Sequence, residues 1–203
     1  LIHKQRWFFC RIQGRRRIGK TTLLKELMKS DPSLAGRMIY MQVPNSDERD
    51  VAASFRRALQ DSGVDSVSCM GDPVDDFASM ASAIGVLCRQ GVILIFDEFQ
   101  YFTSAKLKAF SSYLQAQVDQ LKDTSSGGLF VLGSLQSEMN ALLNDVVAPL
   151  YGRLTASIDL QHWDFEDLTT LYSAHGIRSP SQWLTLWSFF EGVPKFYRDA
   201  YDQ

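Results

Sequence analysis

The stretch "GRRRIGKTTLL", residues 14–24, decides the fold of this 203-residue chain. Gly14, Gly19, Lys20 and Thr21 satisfy the spacing G-x-x-x-x-G-K-[ST], in which the glycines let successive backbone N–H groups converge on a phosphate. A strand-like segment precedes the stretch and a helical pattern follows it, which is the context that this pattern requires. The sequence therefore predicts a nucleotide phosphate site at the start of a helix.

Strand-like runs alternate with helical patterns along the chain, as is typical of a parallel sheet covered by helices. The run "VILIFDEF" is apolar until two carboxylates end it, which predicts a central strand buried on both faces. We therefore expect an α/β P-loop NTPase fold with a mainly parallel five-stranded sheet between helices. The predicted strands are 7–12, 37–44, 92–99, 129–134 and 155–160, and the predicted helices are 20–29, 48–62, 74–89, 105–122 and 136–144.

Composition and charge restrict the classes of function. The formal net charge of −2 gives no general attraction to nucleic acid or to anionic lipid. The longest apolar run, Val92–Phe96, is too short to cross a bilayer, so we expect no membrane partner. Cys10, Cys69 and Cys88 have neither metal-ligand nor disulfide spacing, so we expect reduced core thiols in a cytoplasmic protein.

Asp97 and Glu98 end the apolar run and are candidate partners of the phosphate loop. Mg²⁺ prefers hard oxygen ligands, and a hydrolysing site must also orient the attacking water. We expect Asp97 to hold Mg²⁺, partly through water, together with the Thr21 hydroxyl. Glu98 would be the general base, and Lys20 would contact the β- and γ-phosphates. An acidic pair facing solvent is the alternative, which the nearby loop disfavours.

Two further residues are candidate catalytic groups. Ser134 follows an apolar strand, and strand ends on one side of a parallel sheet line the ligand crevice. It would contact the γ-phosphate or the attacking water, while capping the next helix is an equally favoured and compatible role. Arg153, in "PLYGRLT", would neutralise charge in the transition state, with a surface salt bridge as the alternative.

These motifs, taken in order, resemble those of the archaeal-type ATPases of the P-loop superfamily, which are related to the STAND and AAA+ ATPases. The resemblance implies an additional-strand (ASCE) sheet, in which the Ser134 strand lies between the Asp97 strand and the loop strand. It also implies ATP and Mg²⁺ as ligands, a DEXX-type Walker B motif and a sensor-1-like Ser134. Arg153 falls in the arginine-finger region, and its action on its own or a neighbour's nucleotide is open. The segments concerned are "GRRRIGKTTLL", "VILIFDEFQ", "LGS", "PLYGRLTASIDL" and "EGVPKFY".

The segment "EGVPKFY" resembles the Gly-x-Pro element that begins the helical lid of this family. Pro194 would bring a helix start close to the base, and an ordinary helix break is equally favoured. We expect the side chains of the three loop arginines to point away from the phosphates and to form salt bridges with a lid, a partner or another subunit. The alternative is that they raise the positive potential around a polyphosphate. The expected nucleotide-binding residues are Gly14, Arg15, Arg16, Arg17, Ile18, Gly19, Lys20, Thr21, Thr22 and Pro194.

The leading hypothesis is a Mg-dependent ATPase whose nucleotide state moves a lid and controls an attached or partner effector. The alternatives are a slow-turnover switch that holds ATP or ADP, and a DNA-associated motor or loader, which the bulk charge does not favour. We place a P-loop ATPase core over 1–162 and a helical lid segment over 163–203. Because the chain begins with Leu1, we expect a piece of a longer protein that continues into a winged-helix, nuclease-like or other effector domain. Homo-oligomer formation is open.

Overall fold

Five strands and nine helices organise the part of the chain that the computed structural model describes, residues 2, 6–64, 73–123 and 126–201. A short 3-10 helix, Phe99–Thr103, follows the third strand. The strands are β1 (Phe8–Gln13), β2 (Met38–Gln42), β3 (Ile93–Asp97), β4 (Gly128–Gly133) and β5 (Ala156–Asp159). The helices are α1 (Lys20–Ser30), α2 (Pro32–Ala35), α3 (Glu48–Asp61), α4 (Phe77–Arg89), α5 (Ala109–Leu121), α6 (Gln136–Leu143), α7 (Phe165–Ala174), α8 (Pro180–Phe190) and α9 (Pro194–Tyr201).

The strands form one sheet in the order β2-β3-β4-β1-β5, and every neighbouring pair is parallel. The predicted α/β class is therefore confirmed. β4 lies between β1 and β3, as the resemblance implied. Because all strands run in one direction, their carboxyl ends meet at one edge of the sheet. This edge joins the phosphate loop after β1, the carboxylates at the end of β3 and Ser134 after β4.

Helices cover both faces of the sheet, which explains why the central strands are apolar throughout. Alternate residues of β3 divide between the faces: Ile93 and Ile95 pack toward α1 and α2, whereas Leu94 and Phe96 pack toward α3, α4, α5 and α6. Asp97 continues the first set. Its carboxylate therefore lies on the face of the sheet that α1 covers, close to the start of that helix.

Two helices begin later than the sequence predicted. The predicted start of α4 at 74 is wrong, because the Asp76 side chain accepts from the Ser79 backbone N–H at 2.7 Å and caps a helix that begins at Phe77. The predicted start of α5 at 105 is wrong as well. There Leu107 and Lys108 N–H groups both donate to the Ser104 carbonyl, which makes a separate turn before the helix.

Buried groups of β1 fix the neighbouring elements in place. Arg11 donates to the Ser157 hydroxyl in β5 at 3.0 Å and to the Asn140 Oδ1 in α6 at 3.1 Å.

Cys10 and Cys88 are buried thiols, and burial raises the pKa of Cys10 to about 11. Cys69 lies outside the described residues. Within the described ranges, a helix with the length and apolar character to cross a membrane is not found.

A test of this packing is available at Gly128, which pairs with Phe8 in the sheet. A Cβ atom there would lie 2.3–2.5 Å from three Phe8 ring atoms, and the ring is already packed against Phe130. We expect Gly128→Ala to lower the free energy of unfolding by about 1–3 kcal/mol, because buried aromatic rings must shift. Gly36→Ala is the control, since its Cβ would meet open space at a φ of −70°. Urea denaturation measures both, and equal stabilities would contradict the close packing.

Candidate functional site

A cavity of about 650 Å³ opens at the carboxyl edge of the sheet, between the phosphate loop and the start of α9. This volume is within the range of roughly 300–1,000 Å³ usual for small-molecule sites. The cavity joins four segments that are distant in sequence: the loop with α1, the end of β3, the end of β4, and the helices after β5. Its lining residues are Arg16, Arg17, Gly19, Lys20, Thr21, Thr22, Asp97, Glu98, Ser134, Trp163, Pro194, Lys195 and Arg198.

The Lys20 ammonium lies inside the loop. Its Nζ donates to the Gly14 carbonyl at 2.8 Å and to the Arg15 carbonyl at 3.1 Å. The residue is only 8% exposed, and this burial lowers the pKa of Lys20, while Asp97 and Glu98 act in the opposite direction. Ile18 is also buried, and it does not line the cavity. The loop therefore presents a buried cation where the sequence predicted a phosphate contact.

Asp97 is the most heavily hydrogen-bonded group of the site. Thr21 Oγ1 donates to Asp97 Oδ2 at 2.6 Å, and the Tyr40 hydroxyl donates to the same oxygen at 2.9 Å. The Glu98 backbone N–H donates to Oδ1 at 2.9 Å. Burial and then the neighbouring Asp97 charge raise the pKa of Tyr40, so its hydroxyl keeps the proton that it donates.

The chemistry of these oxygens fits a magnesium ion. A hydroxyl and a carboxylate oxygen lie side by side, and hard oxygen donors are what Mg²⁺ prefers. Across the described ranges, clusters of three or more His, Cys, Asp or Glu residues able to hold a metal are absent. A metal held by Thr21 and Asp97 would therefore take its other ligands from water and phosphate, as Mg²⁺ usually does.

Glu98 is held in an unusual backbone conformation beside Asp97. Its φ of 57° and ψ of 37° are left-handed, which is uncommon for a residue with a side chain. Strain of this kind persists where the surroundings impose it, often at functional sites. The carboxylate accepts a hydrogen bond from Gln100 Nε2, and Gln100 is 1% exposed. The 3-10 helix after β3, which the sequence did not predict, supplies this contact.

Ser134 lines the main cavity and also a second one of about 420 Å³ on the other side of the loop. This position is compatible with the predicted contact to phosphate or water. The capping alternative for Ser134 is wrong, because the N-cap of α6 is Leu135 and it makes no side-chain capping bond.

Arg153 does not line the main cavity. Its Nε and Nη2 donate to the two carboxylate oxygens of Asp119 in α5, at 2.9 and 2.7 Å. The salt-bridge alternative thus describes its position in this chain. A role of Arg153 at the nucleotide of a neighbouring subunit stays a prediction.

The loop arginines lie beside the cavities. Arg16 and Arg17 line the main cavity and Arg15 lines the second one, which favours the alternative that Arg16 and Arg17 raise the positive potential around a polyphosphate. The expected contact with a lid is present for Arg17, as a cation–π contact rather than a salt bridge. Its guanidinium carbon lies 5.5 Å from the ring centre of Phe196 in α9.

Pro194 is the first residue of α9 and reaches the cavity because the preceding turn is fixed. Gly192 has a φ of +73°, accepts from the Trp163 N–H at 3.0 Å, and has no room for a Cβ beside the Trp163 carbonyl. Lys195 and Arg198 of the same helix also line the cavity, and both form ion pairs with Asp199.

Five residues that the sequence reasoning missed belong to this site: Trp163, Lys195 and Arg198 line the cavity, and Tyr40 and Gln100 donate to its carboxylates. Lys195 and Arg198 are three apart in a helix that begins at Pro194, and this spacing places them on one face, which was a usable signal. The contacts of Tyr40 and Gln100 depend on tertiary packing and had no comparable signal.

Fold and site together define a P-loop ATPase domain of the AAA type. The sequence profile described as "AAA domain" matches residues 8–169, and the chain belongs to this family. A comparison with curated proteins gives no match.

Solved structures show the same fold at low sequence identity. The Walker-type ATPase PABY2304 of Pyrococcus abyssi is 16% identical, with a TM-score of 0.65 over 92% of this chain and 59% of that one. The Aeropyrum pernix ORC2 protein in ADPNP–ADP complexes is 16% identical, with a TM-score of 0.56 over 84% and 46%. The Aeropyrum pernix ORC1 protein in complex with DNA is 14% identical, with a TM-score of 0.53 over 83% and 43%. The chain thus spans between 43% and 59% of these proteins.

The Arg153–Asp119 ion pair can be tested by pH. Hydrogen bonding to Arg153 holds the pKa of Asp119 below its ordinary value. A depressed carboxyl pKa stabilises the fold above its unfolded value of about 3.9, and this stabilisation is lost as the pH falls through the folded pKa. We expect Arg153→Gln to lower the free energy of unfolding by up to about 1 kcal/mol at pH 7, and this effect should shrink as the pH falls below about 3.9 and through the lower pKa of the folded state.

The same variant separates the salt bridge from a nucleotide role within the chain. ADP affinity, measured by calorimetry, should be unchanged in Arg153→Gln. Asp119→Asn should lower the stability at least as much, because Asp119 also pairs with Lys122. A drop in ADP affinity in Arg153→Gln alone would contradict the placement outside the cavity.

Proposed function

We propose that this domain binds Mg²⁺–ATP in the main cavity, hydrolyses it, and couples the nucleotide state to the position of α9 and the helices packed with it. The observation that carries the proposal is the meeting of the loop, Asp97, Glu98, Ser134 and the start of α9 around one cavity. The family establishes the P-loop ATPase domain. Hydrolysis and lid movement are proposed on the arrangement of these residues around the cavity.

The charge of the cavity supports a polyphosphate ligand. Five cationic side chains face two carboxylates, so the local field is positive although the whole chain is acidic. The cations come from the loop, from α1 and from α9, and are therefore placed on opposite sides of the cavity. The cations are Arg16, Arg17, Lys20, Lys195 and Arg198, and the carboxylates are Asp97 and Glu98.

Each residue then has a chemical task. Thr21 and Asp97 would hold Mg²⁺, which would neutralise phosphate charge when bound. Lys20 would exchange its bonds to the Gly14 and Arg15 carbonyls for phosphate oxygens. Glu98 would orient the attacking water and accept its proton, and Ser134 would contact the γ-phosphate or that water.

The helices after β5 are proposed to act as a lid, with the domain boundary near residue 162. Leu168, Tyr172 and Tyr197 form a small core of their own, to which Trp163 packs. Arg17 of the loop contacts Phe196 in α9, and Phe196 packs against Phe190 at the margin of this core. Because the related structures are longer, we further propose an attached effector domain. Measurements of DNA binding and of oligomeric state on the full-length protein would test what this domain does.

A second candidate function, a slow-turnover switch that retains ADP or ATP, is favoured by one observation. The buried Gln100 amide holds one oxygen of the Glu98 carboxylate, which restricts how this carboxylate can turn toward an attacking water, and a poorly aligned base hydrolyses ATP slowly. This switch predicts nucleotide that co-purifies and negligible multiple turnover. Mass spectrometry of the supernatant of the denatured protein distinguishes it from the ATPase.

The nucleotide site is tested by two substitutions. We expect Lys20→Ala to weaken ATP binding at least about tenfold, because a charge-assisted hydrogen bond is lost. We expect Glu98→Gln to lower the hydrolysis rate by roughly 10²–10⁴-fold with ADP affinity unchanged, because only the proton acceptor is removed. Calorimetry and phosphate release measure the two effects.

Lys29→Ala and Glu26→Gln are the matched controls, since these exposed residues pair with each other on α1. Both should leave binding and turnover unchanged. Unchanged nucleotide affinity in Lys20→Ala would overturn the site. Normal turnover in Glu98→Gln would overturn its assignment as the base.

The lid is tested through the contact between Arg17 and Phe196. We expect ADP to slow amide hydrogen exchange in α9, because phosphates bring the loop and the lid together. Phe196→Leu should remove most of this slowing, since leucine has no aromatic face for the guanidinium. Phe189→Leu, at a position 73% exposed on α8, is the control and should behave like the unsubstituted chain. Equal protection of α9 with and without ADP would contradict the lid.

A further inference from the structure

Tyr40 is a residue of the magnesium site that no Walker motif supplies. It lies in the middle of β2, the outermost strand on one side of the sheet, and it is paired with Ile95 of β3. Met38 and Tyr40 share the face of the sheet that α1 covers, which is also the face on which Asp97 follows Ile95. The strand register therefore places the Tyr40 side chain on the same face as the Asp97 carboxylate, two residues before it in the strand direction.

Resting on the proposed function, we infer that Tyr40 is a positioning residue for the metal: its hydroxyl orients the Asp97 carboxylate and thereby sets the affinity for Mg²⁺. The hydroxyl reaches Asp97 Oδ2 at 2.9 Å, and Thr21 reaches the same oxygen at 2.6 Å. Tyr40 itself does not line the nucleotide cavity, so it acts through Asp97.

Counting acceptor positions on the carboxylate explains why the third donor matters. An ionised carboxylate offers about four lone-pair positions. Tyr40 and Thr21 occupy two on Oδ2, and the Glu98 N–H occupies one on Oδ1. Donors on both oxygens fix the rotation of the carboxyl plane, and one position is left for a water bound to the metal.

The donation by Thr21 has a second consequence. A hydroxyl has one proton, which Thr21 uses to donate to Asp97 Oδ2, so its oxygen can turn a lone pair toward a cation. Without Tyr40, the Thr21 bond alone holds Oδ2, so the Asp97 carboxylate and the Thr21 hydroxyl are held less firmly in the orientation that the metal needs. Hydrogen-bond partners of metal ligands commonly change metal affinity in this way.

The ring of Tyr40 is held independently of its hydroxyl. Lys25 Nζ lies 5.5 Å from the ring centre, and the ring lines a groove between α1 and α3 together with Met28 and Met38. Tyr40→Phe keeps these contacts and removes only the donor, so it is the informative variant. Tyr113→Phe, on the exposed side of α5, is the matched control.

The experiment measures metal affinity directly rather than turnover. Mn²⁺ replaces Mg²⁺, and the electron paramagnetic resonance signal of free Mn²⁺ gives its affinity for the complex of protein and ADP. We expect the affinity to fall about tenfold in Tyr40→Phe and further in Asp97→Asn. ADP binding in the presence of EDTA, followed by calorimetry, should stay within about twofold in Tyr40→Phe, because the phosphate contacts are intact.

Three results decide the inference. Unchanged Mn²⁺ affinity in Tyr40→Phe, with a loss in Asp97→Asn, would overturn the role of Tyr40 and leave the proposed function standing. An equal loss of ADP affinity in EDTA would overturn it too, because Tyr40 would then act on the fold of the site. Failure of the unsubstituted protein to bind Mn²⁺ with ADP would overturn the proposed function as well.

Discussion

The hydrogen bond between Thr21 and Asp97 is the contact on which the site depends. It joins the first turn of α1 to the last residue of β3, two elements that are 76 positions apart in sequence. α1 follows β1 and leads across the sheet to β2, so its first turn lies beside the carboxyl end of β3. Parallel strands and the position of this helix thus bring a hydroxyl and a carboxylate together at one crevice.

Backbone strain is concentrated around the same cavity. In the described ranges, the non-glycine residues with positive φ are Arg17, Glu98 and Glu191. Arg17 and Glu98 line the cavity, and Glu191 ends α8 in the turn that leads to Pro194. Such conformations persist when packing imposes them. Phe99 and Phe102, fully buried behind Glu98, provide that packing at the end of β3.

The sequence predicted the parts of this molecule that depend on local pattern. The loop, the carboxylates after the apolar strand and all five strands follow from spacing and periodicity, since each needs only its own segment. Helix starts at Phe77 and Ala109 were predicted too early, because an Asp cap and a turn near Ser104 compete with helix propensity. The hydroxyl of Tyr40 and the amide of Gln100 could not be placed, because each reaches its partner through the packing of separate elements.

Arg153 shows a different limit of prediction. A guanidinium before the last strand has the right chemistry for a phosphate site, but chemistry alone does not say which anion it meets. In this chain Nε and Nη2 of Arg153 donate to Asp119, and Nη1 donates to the Tyr151 carbonyl. The sequence favoured a surface role for Arg16 and Arg17, but both residues line the cavity.

Charge provides the physical reason for a lid that responds to nucleotide. Lys195 and Arg198 on α9 face Arg16 and Lys20 across the cavity, and like charges at such sites repel. Asp199 partly neutralises the lid cations, and Phe196 gives Arg17 an uncharged partner, so the electrostatic repulsion between loop and lid is reduced. Under the proposed function, a polyphosphate between loop and lid replaces this repulsion by attraction to both. Loss of the γ-phosphate removes part of that attraction, so the same cations that bind the nucleotide also report its state to the lid.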